Sequence, residues 1–158
     1  MTATQPQFDG DVAFVTGASG HLGSVVVDHF LESGMTVVGS DLAVESEQLR
    51  ADAERDGLHW VHLDGADPES TKAAVESARE AFGAIDFAVN IAGGFRWTLI
   101  GDASDDDIDF LIDANLRTAL HLVREVLPAM KERDRGRIIL MSSKSTLEPG
   151  KGEAPYAG

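Results

Sequence analysis

The sequence predicts an α/β fold built on a doubly wound parallel sheet. Short apolar segments alternate with amphipathic segments along the chain, which is the order of strands and helices in such a sheet. The first apolar segment, Asp11–Thr16, contains an unbroken apolar run, as expected of a strand whose two faces are both covered. A glycine-rich turn then leads directly into the next amphipathic segment. We therefore expect a parallel sheet with helices on both faces.

Strands and helices are expected in strict alternation. The five predicted strands are Asp11–Thr16, Met35–Ser40, Leu58–Leu63, Ile85–Val89 and Arg137–Met141. The four predicted helices are His21–Ser33, Glu45–Asp56, 67–82 and 104–133. The remaining segment, Ser142–Gly158, is predicted to be a loop.

Local signals mark where several of these helices begin and end. Asp67-Pro68-Glu69 combines an N-cap acid, a proline at the first helical position and an acid in the first turn. Ser104 and Asp107 have the spacing of a capping box at the start of the long helix. Gly34 follows the first helix, where a left-handed residue commonly ends one.

The composition excludes several classes of function. The chain has 158 residues, no cysteine and a formal net charge of −14, which opposes binding to nucleic-acid phosphates. No apolar run approaches the roughly 18 residues of a membrane span, and residues 1–10 lack the features of a secretory signal. The five histidines lack ligand spacing, so no metal site is expected. These features predict a cytoplasmic protein without a membrane or nucleic-acid partner.

The turn between the first strand and the first helix predicts a dinucleotide site. Gly17 permits a tight turn, Gly20 lets the backbone approach a pyrophosphate, and Gly23 allows close packing of helix against strand. Free N–H groups at the start of the helix favour the phosphates. The turn lacks the Gly-Lys-Ser/Thr ending of a triphosphatase. The residues expected to contact the cofactor here are Gly17, Ser19, Gly20, His21, Leu22 and Gly23.

Asp41 favours NAD over NADP as the cofactor. It ends the second strand, and its distance along the chain from Gly17 is close to the roughly 20 residues expected for a ribose-binding carboxylate. Its charge would repel a 2′-phosphate, and the nearest arginine, Arg50, lies on the following predicted helix. Leu42 is expected to contact the same end of the cofactor.

Taken together, the motifs resemble those of the short-chain dehydrogenases/reductases over nearly the whole chain. Asp64, followed by Gly65, resembles the acid that contacts the adenine ring. The segment Asn90-Ile91-Ala92-Gly93 resembles the family motif Asn-Asn-Ala-Gly, with Ile91 in place of the second Asn. The resemblance implies a Rossmann-like fold with strand order 3-2-1-4-5. It adds Asp64, Gly65, Asn90, Ala92 and Gly93 to the expected cofactor contacts.

The same resemblance implies three catalytic residues and a reaction. Asn115 lies in the long helix, where the family has a catalytic Asn, and Tyr156 follows Ser143 by the 13 residues that separate the family's Ser and Tyr. In the family, the Tyr is the general acid/base, the Ser hydrogen-bonds the substrate oxygen and the Asn holds a water in a proton relay. The implied reaction is NAD-dependent hydride transfer between nicotinamide and a carbonyl or alcohol.

Two departures from the family pattern leave alternatives open. The spacing of Gly17, Gly20 and Gly23 is typical of the extended branch of epimerases and dehydratases, whereas the short branch usually has Gly where His21 stands. The other motifs favour the short branch. The family's Tyr-x-x-x-Lys motif would put its Lys two residues beyond Gly158. Residues 1–158 are therefore expected to form a single dinucleotide-binding domain truncated before its C-terminal third, and a catalytically inactive NAD-binding module is an alternative.

The long helix predicts a partner as well as a core. Its apolar positions form more than one stripe: Ile108, Leu111, Ile112, Leu116, Ala119, Leu120, Val123, Val126, Leu127 and Met130. One stripe covers the sheet. The others either meet a second subunit, as in family dimers and tetramers, or are buried by elements that follow in the chain. Phe95, Trp97 and Leu99 in the loop after the fourth strand favour an apolar or cyclic small-molecule substrate.

Overall fold

The computed structural model describes residues 8–43 and 55–158, which form a five-stranded parallel sheet with helices on both faces. The strands are β1 (Val12–Thr16), β2 (Thr36–Asp41), β3 (Leu58–His62), β4 (Phe87–Asn90) and β5 (Arg137–Leu140). They are hydrogen-bonded in the order β3-β2-β1-β4-β5, and every pair is parallel. The predicted fold class and strand order are confirmed.

The helices found include the predicted helices His21–Ser33, 67–82 and 104–133, the last in two α-helical parts, and a short C-terminal helix that was not predicted. They are α1 (His21–Glu32), α2 (Pro68–Phe82), α3 (Asp105–Ile112), α4 (Thr118–Glu132) and the short α5 (Ala154–Ala157). The predicted helix Glu45–Asp56 lies almost wholly outside the described residues. Among the described residues, no helix has both the length and the apolar character that crossing a membrane requires.

The end of the chain differs from the prediction of a continuous loop over Ser142–Gly158. A 3-10 turn, Lys144–Thr146, is present because the Ser143 hydroxyl accepts a hydrogen bond from the Ser145 N–H at 3.2 Å. Helix α5 follows, with Pro155 in its first turn, where the missing N–H of proline costs nothing. Helices of this length carry too little periodicity to be recognised from a sequence.

The sequence predicts one continuous helix over 104–133, but the structure interrupts it. Ser104 and Asp107 form the predicted capping box at the start of α3. Between α3 and α4, however, residues Asp113–Arg117 form a π-helical turn. Such turns are rare and are found mostly as single turns within α-helices, often at functional sites. Asn115 is at the centre of this turn.

Two apolar layers cover the sheet, one on each face. On one face, Phe14 and Val38 pack with α2 and α4, and Leu122 is fully buried there. On the other face, Val15 and Val37 pack with α1. Burial of a leucine side chain contributes roughly 1.5–3 kcal/mol, so each layer contributes substantially to stability. Because both faces are covered, β1 needs the unbroken apolar run that predicted it.

Candidate functional site

Two clefts open at the edge of the sheet where the parallel strands end. The first, of about 690 Å³, lies between the glycine-rich turn, the ends of β2 and β3, and the π-helical turn. The second, of about 670 Å³, lies between the segment after β4, the π-helical turn and the segment after β5. Ile91, Ala92 and Gly93 line both clefts, so the two sites share a wall. Ligands of doubly wound sheets bind at this edge.

The glycine-rich turn forms a cradle beside the first cleft. Gly17 has a φ of +65°, and a Cβ there would lie 2.7 Å from the Ala92 backbone nitrogen. A Cβ on Gly23 would overlap the Gly17 carbonyl oxygen, so the first turn of α1 can pack against the turn after β1 only with glycine at this position. A Cβ on Gly20 would meet no atom closer than 3.3 Å and would therefore fill space beside the cleft. This geometry fits a pyrophosphate seated against the backbone.

The start of α1 is arranged to receive an anion. Gly20 is the N-cap and has no side chain to satisfy the first N–H groups of the helix, and the first turn contains no acidic residue. The helix dipole adds a partial positive charge at this end. A phosphate group is the type of ligand that such a helix end binds.

Asp41 joins the end of β2 to the glycine-rich turn. Its Oδ2 accepts hydrogen bonds from the Ser19 hydroxyl at 2.6 Å and from the Ser19 N–H at 3.3 Å. Its Oδ1 accepts from the Ala43 N–H at 3.3 Å. Asp41 therefore shapes the turn as well as lining the cleft. The sequence pointed to both Asp41 and Ser19 as cofactor contacts, but it contained no signal for the bond between them.

The far end of the first cleft contains the residues predicted to meet the adenine ring. Asp64 accepts a hydrogen bond from the Ala66 N–H at 3.0 Å, which turns the chain after β3. Gly65 packs so closely on Thr118 that a Cβ would lie 2.8 Å from its methyl carbon. Leu42 supplies an exposed apolar wall. This end of the cleft thus combines a carboxylate, a glycine and an exposed leucine.

A buried polar pair joins the ends of β1 and β4. The Thr16 hydroxyl donates to Asn90 Oδ1 at 3.0 Å and accepts from the Ile91 and Ala92 N–H groups, each at 3.2 Å. Both side chains are almost fully buried. Asn90 lines the second cleft and not the first. Through its bond with Thr16, it helps to hold the shared wall in place. Thr16 was missed by sequence reasoning, although a polar residue ending an apolar strand was a usable signal.

The three predicted catalytic residues, Asn115, Ser143 and Tyr156, all line the second cleft. The Tyr156 ring packs edge-to-face on Phe95, with ring centroids 5.0 Å apart. Trp97 and Leu99 do not line this cleft, and Trp97 instead donates a hydrogen bond to the Lys151 carbonyl at 2.8 Å. No charged side chain is found among the described residues that line it. The cleft thus combines hydroxyl and amide side chains with apolar walls.

Two carboxylates near the loops have altered acidity, and neither lines a cleft. Hydrogen bonds from Ser104, with a smaller contribution from Arg96, hold the pKa of Asp107 below its ordinary value. Hydrogen bonds from the Gly150 N–H and the Ser145 hydroxyl likewise lower the pKa of Glu153. Within residues 8–43 and 55–158, no group of three or more His, Asp or Glu side chains is arranged to hold a metal ion.

Comparison with known proteins relates the chain to a known family. The family model described as short chain dehydrogenase matches residues 11–158. The chain is 36% identical over 151 residues to the oxidoreductase UcpA of Escherichia coli K12, covering 94% of this chain and 57% of UcpA. It is 31% identical over 150 residues to the 3-oxoacyl-acyl-carrier-protein reductase FabG of the same organism, covering 95% and 62% of the two chains.

Solved structures show the same architecture. A short-chain dehydrogenase from Streptomyces avermitilis superimposes with a TM-score of 0.86 at 25% identity, over 93% of this chain and 54% of that one. The apo form of LigO from Sphingobium sp. strain SYK-6 gives a TM-score of 0.85 at 30% identity, over 95% and 57%. The chain thus spans somewhat more than half the length of these relatives. The site motifs, the strand order and the match over residues 11–158 together make the chain a member of the short-chain dehydrogenase family.

Proposed function

We propose that the protein is an NAD-dependent oxidoreductase that transfers a hydride between nicotinamide and the carbonyl or alcohol carbon of a small apolar molecule. The observation that carries the proposal is the wall shared by the two clefts. Ile91, Ala92 and Gly93 line both, so a cofactor that extends along the first cleft reaches the side chains of the second. Hydride transfer requires this kind of close approach between cofactor and substrate.

The residues of the first cleft fit the cofactor. The N–H groups at the start of α1 and the glycine cradle would hold the pyrophosphate, Asp41 the adenosine ribose, and Asp64 with Gly65 the adenine. The bound nicotinamide would supply or take up the hydride. The chain's own contribution is to bind and orient it beside the second cleft.

The preference for NAD over NADP rests on charge. Asp41 is a carboxylate that lines the first cleft, and it would repel the negative charge of a 2′-phosphate bound beside it. Among the described residues that line the first cleft, neither Lys nor Arg is present to offset it. A ribose with a free 2′-hydroxyl can instead donate a hydrogen bond to this carboxylate.

Proton handling is assigned to the second cleft. The Tyr156 hydroxyl exchanges a proton with the substrate oxygen, and the Ser143 hydroxyl donates a hydrogen bond to the same oxygen. Both hydrogens of the Asn115 amide nitrogen are committed, to the Gly94 and Leu111 carbonyls at 2.8 and 2.9 Å. Its Oδ1, which accepts from the Gly94 N–H, keeps one lone pair with which it can hold a water.

The lining of the second cleft favours an uncharged, apolar substrate. Phe95, Leu111 and Met141 are among its walls, and no charged side chain of the described residues faces it. Burial of a charged substrate group without a partner would be costly. The relative FabG is named as a reductase of a 3-oxoacyl group, which is a ketone, and this supports a carbonyl as the reacting group.

The test compares wild type with Tyr156→Phe in the full-length protein. We expect the wild type to consume NADH with apolar ketones, and Tyr156→Phe to lower kcat by about 10²- to 10⁴-fold without changing the Kd for NADH. Unchanged turnover in the variant would refute the role of Tyr156. NADH binding without turnover by the wild type would indicate an inactive NAD-binding module. Tightly retained NAD without net turnover would indicate an epimerase or dehydratase.

A further inference from the structure

The first cleft has the wrong charge for the ligand that it is proposed to bind. Asp41, Asp64 and Asp113 all line it, and the pyrophosphate of a dinucleotide is itself negative. The formal net charge of −14 adds an opposing field. Among the described residues that line the cleft, His21 alone has a side chain that can become positively charged.

The position of His21 suits a contact with phosphate. It is the first residue of α1, directly after the N-cap Gly20, and its side chain is exposed in the cleft wall. Its backbone carbonyl accepts a hydrogen bond from Ser24, whereas its ring has no hydrogen bond or ion pair with the described residues. By contrast, the ring of His29 lies 3.6 Å from Glu32, and that of His121 lies 2.9 Å from the Gly65 carbonyl.

We propose that the imidazolium of His21 binds the cofactor pyrophosphate, so that affinity for the cofactor rises as pH falls. This inference rests on the proposed NAD site. A histidine takes up its proton between about pH 5 and 8, and an anion bound beside it favours the protonated form. By linkage, the complex holds the proton more firmly than the free protein does. Affinity is therefore highest at low pH and declines as the free protein loses the proton.

Other ionisable groups face the same cleft, and their contribution to the pH dependence of binding has to be distinguished from that of His21. Asp41 ends β2, Asp64 follows β3, and Asp113 lies in the π-helical turn. On α1 itself, Asp28 is near the other end of the helix, where it pairs with Arg55 at 2.7 Å. A variant that removes only the imidazole keeps all of these carboxylates, so its residual pH dependence measures their contribution.

The experiment is a calorimetric titration of the full-length protein with ADP-ribose, which has the pyrophosphate but no nicotinamide. Between about pH 6 and pH 8 the wild-type Kd should rise roughly three- to tenfold, the range of one partly exposed charged contact. At every pH in this range, His21→Gln should bind ADP-ribose as weakly as the wild type does at pH 8. His21→Lys should bind tightly throughout. His29→Gln, on the same helix, should keep the wild-type profile.

Adenosine, which lacks phosphate, separates the pyrophosphate from the rest of the ligand. Its Kd should vary equally little with pH in the wild type and in His21→Gln. Equal pH profiles for ADP-ribose in these two proteins would overturn the role of His21 and leave the NAD site standing. Failure of the wild type to bind ADP-ribose, NAD or NADH at any pH would overturn both proposals. His21→Gly serves as a second variant and should behave as His21→Gln does.

Discussion

Asn115 binds both backbone polar groups of Gly94. Its Oδ1 accepts from the Gly94 N–H at 3.1 Å, and its Nδ2 donates to the Gly94 carbonyl at 2.8 Å. Gly93, one residue earlier, is so close that a Cβ there would lie 2.8 Å from Asn115 Oδ1. One side chain therefore ties the segment after β4, which is the wall between the clefts, to the π-helical turn.

Removal of this clamp should loosen the shared wall. Asn115→Ala loses three hydrogen bonds, including the one to Leu111, and leaves partly buried backbone groups unpaired, at a cost of roughly 1–3 kcal/mol in unfolding free energy. We expect kcat to fall as well. The control is Arg117→Ala in the same turn, which breaks only an exposed pair with Asp113 and should cost under about 1 kcal/mol. Equal losses on urea unfolding would contradict the clamp.

Asp41→Asn tests the cofactor preference directly. The amide can still accept a hydrogen bond from Ser19, but it no longer repels a 2′-phosphate. We expect the Kd for NADPH divided by the Kd for NADH to fall by about tenfold, as measured by fluorescence titration. Asp113→Asn removes a carboxylate from another wall of the same cleft and should change the ratio much less. Equal effects of the two variants would argue against a local role for Asp41.

Gly17 and Gly83 both have a positive φ, +65° and +85°. A Cβ at Gly83 would meet nothing within 4 Å, whereas one at Gly17 would lie 2.7 Å from the Ala92 nitrogen. Gly83→Ala should therefore cost only the strain of holding alanine in a sparsely populated backbone region, about 1–3 kcal/mol. Gly17→Ala should cost more in urea unfolding and should also weaken NADH binding. Equal losses of unfolding free energy in the two variants would show that the close contact with Ala92 is not the reason for glycine at position 17.

The capping box of α3 should make stability depend on pH. Hydrogen bonds from Ser104 lower the pKa of Asp107 in the folded state, so its ionised form stabilises the fold above the unfolded-state value of about 3.8. That contribution is lost as pH falls through the folded-state pKa. Asp107→Asn should lower Tm near pH 7, and the difference from wild type should shrink as pH falls below the unfolded-state value. Asp105→Asn, in the same first turn, is the control and should show a smaller change.

Local signals were sufficient for most of the secondary structure. The apolar run of β1, the Asp67-Pro68 start of α2 and the Ser104 capping box each act within a few residues, and the structure has all three. Gly34 has the expected positive φ of +86°. Strand ends differ from the prediction by no more than two residues, because ladder hydrogen bonds with neighbouring strands decide where a strand stops.

The site was predictable as a set of residues but not as a set of contacts. Thr16 and Asn90 are 74 positions apart, and Asn115 and Gly94 are 21 apart. The π-helical turn was not predictable, because no residue type signals it. It accompanies hydrogen bonds that Asn115 makes to a segment far away in the chain.

By itself, the sequence determined the alternation of elements, the glycine cradle and the residues available for chemistry, since these depend on neighbouring residues and on regular spacing. Only the tertiary structure decided which side chains meet: Asp41 with Ser19, Thr16 with Asn90, and Asn115 with Gly94. It also decided that His21 shares a cleft with three carboxylates. The reason is physical: parallel strands bring their ends to one edge of the sheet, and residues far apart in the chain become neighbours there.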